Sequence, residues 1–341
     1  MGLPHWLTRT ISPQPIAIHF GSDVVRMMQI RDKKECALQR AVEVASPDSE
    51  SIKIAFDSFK GKRCVVSIGS ENVLVQHIRV SLAADEAHIR EALMKFDSAW
   101  GDAEIRQICV TTTGGSSNPR QEILCAGVSR RVTGEVVQVI ESAGAEVIAV
   151  TFPLYASIRA FDRLYRRDGD EKITSLLIDM DEDSSIVMIA HGANCVFAHR
   201  IGTQCNQEVA QQETQPVTTP SLTPISSPST DSFERREENT PRGLHGIEST
   251  NGAVDASIEI ELEQCIRHHD ALFPERAVDR VIFTGKGASE TSRCAAIANH
   301  LGIAGFVADP AAWIQGAEGC AAGPSWTTVA GICIRYTEKA A

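Results

Sequence analysis

Two stretches of the chain share one pattern of hydrophobic and polar positions. In the first, an alternating run at 16–20 (IAIHF) meets a Gly-Ser-Asp turn, and a second apolar run extends to residue 30. In the second, residues 176–202 give an apolar run, an acidic turn and two further apolar runs. Such alternation around a short polar turn predicts β-hairpins. Its return about 160 residues later predicts two related lobes.

The residues between these stretches form a second pattern. Residues 64–80 again suggest strand, turn and strand, and residues 81–100 have the spacing of a helix. Two further strands, a helix ending at Gly144 and another strand complete residues 63–150. We therefore expect this stretch to be a compact α/β module of its own.

The composition changes sharply at residues 204–254, which are rich in Pro, Ser, Thr and charge. Such a segment cannot bury enough apolar surface to offset its ordering entropy, and it predicts a disordered insertion. Helical spacing resumes at 256–272, and strands and helices alternate beyond it. The whole pattern predicts a layered α/β fold.

Charge and composition exclude several function classes. The formal net charge is −11, with 33 basic and 44 acidic residues, which argues against nucleic acid or anionic lipid as a partner. No apolar run is long enough to cross a membrane, so we expect no direct membrane insertion. Ten scattered cysteines without a C-x-x-C pair suit a reducing cytoplasm better than a disulfide framework or zinc site.

Three turns carry the candidate chemistry: HFGSD at 19–23, DMDEDSS at 179–185 and TGKG at 284–287. A nucleotide held between two lobes needs backbone amides and small residues near its phosphates and acids near its Mg²⁺. In this order, each at the end of a predicted strand, the turns resemble the phosphate-1, phosphate-2 and adenosine motifs of the actin-like ATPase superfamily.

Within that superfamily the chain resembles the PilM family of type IV pilus assembly proteins, relatives of FtsA. The resemblance covers nearly all of the chain outside the insertion. It rests on the order of six segments. In the first half of the chain, His19 to Arg26 match D-I-G-S-x-x-V-K, and AGAEVIAVTFPLYASIRAF at 143–161 matches the AGxxV-type strand and apolar helix that join the lobes. In the second half, Asp179-Met180-Asp181 match D-I-G, Arg200-Ile201-Gly202 loosely match R-x-I-x-x-G, Glu261 to Ile266 match E-I-x-R-S-L, and Thr284 to Gly287 match T-G-G.

The resemblance implies an α/β, actin-like (ribonuclease H-like) two-lobed fold with an inserted small SHS2-like α/β subdomain. Residues 1–62 with 151–172 would form the first lobe and 63–150 the inserted subdomain. Residues 173–341 would form the second lobe and carry the disordered insertion at 204–254.

The resemblance also implies a site for ATP and Mg²⁺, with His19 and Asp179 at the magnesium position. No residue is predicted to be catalytic, and no separate metal cluster is predicted. The residues carried over to nucleotide binding are Gly21, Ser22, Arg26, Asp179, Asp181, Ser185, Glu261, Gly285 and Gly287.

Departures from the family pattern predict that this site is degenerate. His19 replaces the first-hairpin aspartate, and imidazole is a poor ligand for Mg²⁺. Asp181 replaces the second-hairpin glycine and brings a negative charge toward phosphate. At a separation of about 4 Å and an effective dielectric constant of about 20, this repulsion costs about 4 kcal/mol. Lys286 and Gln264 replace a glycine and an arginine of the adenosine motifs.

The function that the resemblance implies is a cytoplasmic scaffold of pilus or type II secretion assembly. It would bind the short cytoplasmic tail of a PilN-like single-span inner-membrane protein, in a groove between first lobe and inserted subdomain, and contact other assembly components. That partner would hold it at the inner membrane. For the site, the alternative is a retained but weak nucleotide site, in which Ser22, Arg26, Asp179 and Ser185 still touch phosphate or metal. For the function, the alternatives are an active ATPase or sugar-kinase relative and an FtsA-like membrane-tethered filament protein.

Overall fold

The computed structural model describes most of the chain. Its described residues are 13–32, 36–45, 48–113, 119–166, 169–181, 184–202, 242–247 and 256–337. None of the helices in these ranges is long and apolar enough to span a membrane.

The first sheet has five strands in the order β3-β2-β1-β4-β8. Strands β1 and β2 form the antiparallel hairpin that the alternating pattern predicts, and β4 and β8 add parallel strands on the other side of β1. Helices α1 and α3 cover one face of this sheet. The elements are β1 (Ile16–Phe20), β2 (Val25–Asp32), β3 (Ala37–Val44), α1 (Ser49–Phe56), β4 (Arg63–Ser67), α3 (Arg130–Ser142) and β8 (Glu146–Thr151).

The second sheet has six strands in the order β11-β10-β9-β13-β14-β12. Its first five strands repeat the order of the first sheet: an antiparallel trio followed by two parallel strands. Helices α5 and α6 share one apolar cluster with this sheet. The elements are β9 (Thr174–Met180), β10 (Ser184–His191), β11 (Asn194–Gly202), β12 (Leu244–Gly246), α5 (Ala256–Leu272), β13 (Arg280–Thr284), α6 (Thr291–Leu301) and β14 (Ala304–Ala308).

A third, antiparallel sheet lies in the stretch between β4 and α3. Its order is β5-β7-β6, with β5 (Leu74–Ser81), β6 (Ala103–Thr113) and β7 (Arg120–Ser129). Helix α2 (Glu86–Met94) starts at Asp85, whose side chain accepts a hydrogen bond from the His88 N–H. The buried Trp100 fills the core between α2 and the sheet. We call β5, α2, β6 and β7 the inserted module.

This pairing differs from the sequence-based division at the edges of the module. Residues 63–150 had been assigned to the insertion, yet β4 and β8 pair within the first sheet. Residues 64–80 do not form a hairpin either, because β4 and β5 lie in different sheets. Parallel pairing joins residues that are far apart in sequence, so the local pattern did not reveal it.

The structure describes one short part of the predicted disordered insertion at 204–254. Residues 204–241 and 248–254 are not described, but 242–247 contain β12, which pairs antiparallel with β14. Gly243 lies against the Trp313 ring, and the Trp313 Nε1–H donates to the Arg242 carbonyl at 2.6 Å. The prediction of disorder was therefore wrong for this short strand, which a tryptophan distant in sequence anchors.

Two helices join the lobes. Helix α4 (Pro153–Ala160) and helix α7 (Thr327–Thr337) pack against each other, α7 also against β1, β2 and β4, and α4 also against β10. They cross at Gly331, where a Cβ atom would overlap the Ala156 carbonyl oxygen and lie 2.8 Å from its carbon. The last helix of the predicted second lobe is thus also part of the packing of the first.

We expect Gly331→Ala to lower the free energy of unfolding by about 3 kcal/mol or more, because the backbone of α4 must move. Gly134→Ala is the matched control. Gly134 lies in α3 with no atom near its Cβ position, so alanine there should be neutral or stabilise by up to about 1 kcal/mol. Urea denaturation followed by circular dichroism measures both. Equal effects of the two substitutions would contradict the close crossing.

Candidate functional site

The three predicted turns lie at the ends of strands that belong to the two lobes. The β1–β2 turn closes through the Gly21 N–H, which donates to the Val24 carbonyl at 2.9 Å. The β9–β10 turn closes through the Asp181 N–H, which donates to the Ser184 carbonyl at 3.0 Å. The third turn follows β13, the parallel neighbour of β9. Local hydrogen bonds thus fix the conformation of both hairpin turns.

Asp179, near the end of β9, is the best-defined residue of this region. Its side chain is buried and accepts hydrogen bonds from Ser157 at 2.9 Å, Thr284 at 3.1 Å and Thr328 at 3.3 Å. Burial raises the pKa of Asp179, while the three hydroxyl groups and the positive charge of Arg26 partly oppose that rise. The carboxyl group therefore ties β9 and β13 to the helix pair α4 and α7.

The sequence analysis missed two of these three partners. Ser157 lies on α4 and Thr328 on α7, both with buried side chains. Hydroxyl residues on the apolar faces of helices were the signal that could have found them, because a buried hydroxyl group needs a hydrogen-bond partner. Their partner became visible only when the fold brought the distant segments together.

His19 and Arg26 face each other across the first hairpin. They are paired in the register of β1 and β2, and both side chains are buried. Arg26 donates to Glu43 on β3 at 2.8 Å. Burial, followed by the charge of Arg26, lowers the pKa of His19 to about 3. At neutral pH the predicted magnesium position thus holds an uncharged imidazole, whose Nδ1 is buried without a hydrogen-bond partner among the described residues.

The glycines of the third turn pack against protein backbone. Gly285 has φ +82°, and a Cβ there would lie 2.7 Å from Asp179 Oδ1 and overlap the Met180 carbonyl oxygen. A Cβ at Gly287 would lie 3.0 Å from the Met180 Cβ. At Gly285 both the backbone conformation and the close contacts require glycine, whereas a side chain at Gly287 would need a small shift of Met180.

One ion pair joins the turns of the two lobes. Lys286 Nζ lies 3.4 Å from Asp23 Oδ2, with both side chains about half exposed. An exposed pair of this kind contributes only about 0–1 kcal/mol. The ion pair therefore connects the turn at 19–23 to the turn at 284–287, but it contributes too little free energy to hold the two lobes together by itself.

The remaining predicted residues divide into two groups. Ser22 and Asp181 lie in the two hairpin turns, and Ser185 is the second residue of the return strand β10. Glu261 instead lies on α5 beside a cavity of 210 Å³ that β5 and β11 also line. Burial raises the pKa of Glu261. No cluster of three or more His, Cys, Asp or Glu side chains suited to a metal ion occurs in the part of the chain that the structure describes.

No protein-family model and no curated protein matches this sequence. Solved structures do match the fold. A PilM–PilN type IV pilus biogenesis complex matches with a TM-score of 0.64 at 12% identity, over 96% of this chain and 99% of that one. The chain has a PilM-like fold. This confirms the resemblance and the two-lobed actin-like architecture that the sequence predicts, while identity this low shows the fold alone.

Two weaker matches accompany this one. A Bacteroides thetaiotaomicron protein of unknown function with an actin-like ATPase fold has a TM-score of 0.47 at 10% identity, over 90% of this chain and 94% of that one. The cytoplasmic domain of EpsL, an inner-membrane component of the Vibrio cholerae type II secretion system, has a TM-score of 0.40 at 11% identity. It covers 55% of this chain and 71% of its own. The PilM-like fold therefore rests on the first match.

The buried His19 predicts a pH dependence of stability. Its pKa is about 3 when folded and 6.5 in its ordinary state, so between these values the unfolded chain binds more protons than the folded chain. The contribution of His19 to the free energy of unfolding is thus fully present above pH 6.5 and is lost as the pH falls toward 3.

We expect His19→Gln to flatten the fall of the unfolding free energy in this window by up to about 1.4 kcal/mol per pH unit. Denaturant titrations at several pH values measure this slope. His88→Gln, which removes an exposed histidine on α2 that contacts Asp85, is the comparison for a surface histidine, and the change in slope should be larger for His19→Gln. A wild-type slope in the His19 variant would show that the imidazole is not held neutral by burial.

Proposed function

We propose that this chain is a cytoplasmic scaffold for assembly of a type IV pilus or a related type II secretion system, with a degenerate nucleotide site. The enclosure of Asp179 carries this proposal. A carboxyl group with a raised pKa that already accepts three hydroxyl hydrogen bonds is a poor ligand for Mg²⁺. Binding the metal there would require breaking contacts that join the lobes.

The surrounding residues do not fit ATP and Mg²⁺ either. His19 is neutral and buried, and imidazole favours softer metals than Mg²⁺. The Asp181 turn brings a carboxylate toward phosphate, at a cost of about 4 kcal/mol if the charges come within about 4 Å. Gly285 and Gly287 are packed on Met180. These contacts support turns that are structural and do not bind a nucleotide.

MgATP titration calorimetry tests this half of the proposal. We expect no heat of binding at micromolar concentrations with the unmodified chain, because both phosphate turns are altered. The double variant His19→Asp, Asp181→Gly restores the family residues, and binding should strengthen by a factor of about a thousand if the 4 kcal/mol repulsion is removed. Micromolar binding by the unmodified chain would favour an active ATPase instead.

The partner we propose is the cytoplasmic tail of a PilN-like single-span membrane protein, which would keep the chain at the inner membrane. Support comes from an edge strand on the first lobe, an edge strand on the module, and the apolar side chains on and beside them. Strand β8 ends the first sheet and β6 ends the module sheet. Edge strands offer backbone groups with which an extended peptide can pair.

Apolar side chains accompany both edges. Ile108 on β6, Val132 on α3 and Ile148 on β8 are partly buried and pack against the same core cluster. This is the surface we call the tail groove. In binding of this kind, main-chain pairing supplies affinity and the side chains beside the strand supply specificity.

The proposed partner is tested by measuring the binding of a synthetic peptide that has the sequence of the PilN-like tail from the same organism. Ile148→Asp should raise the Kd at least tenfold, because it places a charge in an apolar surface. Ile54→Asp is the control. Ile54 is an exposed apolar residue on α1, and its replacement should leave the Kd unchanged. Absence of binding to the unmodified chain would overturn the partner assignment.

A further inference from the structure

The inserted module is attached to the second lobe as well as to the first. Its chain enters from β4 and leaves into α3, so both covalent connections run to the first lobe. Its polar side-chain contacts instead reach β11, the edge strand of the second sheet. The Ala198 N–H donates to His77 Nε2 on β5 at 3.2 Å. Arg200 Nη1 donates at 2.6 Å to the carbonyl of Glu71, in the segment between β4 and β5 that leads into the module.

Side chains of both the module and the second lobe form the contact at His77. The His77 ring stacks on Phe197 with centroids 4.8 Å apart and planes 17° apart, and His268 of α5 lies beside both rings. Because Nε2 accepts the backbone N–H, the ring must be neutral with its proton on Nδ1. Burial lowers the pKa of His77 to about 4, so this state holds at neutral pH.

The same tautomer excludes one use of the cavity beside these rings. The cavity is lined by His77, His199, Glu261, Cys265 and His268, residue types that bind metals, but these described side chains do not come together as a set of metal ligands. A histidine whose Nε2 accepts a backbone proton and whose Nδ1 carries its own has no lone pair left for a metal. The geometry therefore favours a mechanical role for His77.

We infer that His77 and Arg200 are positioning residues for the tail groove, holding the module against the second lobe so that β6 stands at a fixed place relative to β8. This inference rests on the proposed function. The groove has one wall on the module and one on the first lobe. The contact with β11 sets the position of β6 on the module side of the groove. Movement of the second lobe would therefore change the distance between β6 and β8.

Two substitutions of His77 distinguish the effect of the hydrogen bond that its Nε2 accepts from the effect of its stacked ring. His77→Phe keeps a ring against Phe197 but removes the acceptor, and we expect the Kd of the tail peptide to rise about tenfold. His77→Gln returns an acceptor oxygen and should restore the Kd to within about threefold of the unmodified value. His88→Phe, exposed on the same module, is the control and should leave the Kd unchanged.

Amide hydrogen exchange on the same full-length variants supplies a readout that does not depend on the tail. In His77→Phe, exchange of the Ala198 amide should accelerate while the amides of β7 and α2 stay protected, which shows that the module remains folded. Accelerated Ala198 exchange with an unchanged Kd would overturn the inference, and so would unchanged Ala198 exchange. If the peptide fails to bind even the unmodified chain, the proposed partner falls, whereas the exchange result still reports whether His77 holds the module.

Discussion

The crossing of α4 and α7 is the constraint on which the rest of the molecule depends. Only glycine at position 331 lets the two helices approach closely enough for Ala156 to sit against α7. Ser157 and Thr328, beside this crossing, both donate to Asp179 of β9. One buried carboxyl group thereby joins the second sheet to both connecting helices, and α7 carries that connection on to the first sheet.

This arrangement supports our proposal that the chain is a scaffold and not an ATPase. Asp179, which the resemblance places at the phosphate-2 motif, is part of the joint between the lobes. His19, which it places at the phosphate-1 motif, is neutral and buried. What remains available is surface: the edges of β6 and β8 and the apolar side chains beside them. In our proposal, binding of a peptide there replaces binding of a nucleotide.

The sequence predicted the local elements well and their assembly only in part. Alternation around short turns revealed the hairpins β1–β2 and β9–β10, and helical spacing revealed α5. It could not assign β4 and β8 to the first sheet, because parallel pairing depends on contacts far apart in the chain. The partners of Asp179 and His77 were hidden for the same reason: Thr328 is 149 residues from Asp179, and Ala198 is 121 from His77. Residue types at the turns suggested a degenerate site, whereas the enclosure of Asp179 is a property of the tertiary structure.

The most direct test of the account is an amide hydrogen-exchange map of the full chain recorded alone, with MgATP and with the tail peptide. The account predicts that the peptide protects β6, β8 and the start of α3, and that MgATP at millimolar concentration leaves the turns at 19–23, 179–185 and 284–287 unchanged. Protection of those turns by MgATP, without protection of β6 and β8 by the peptide, would contradict it.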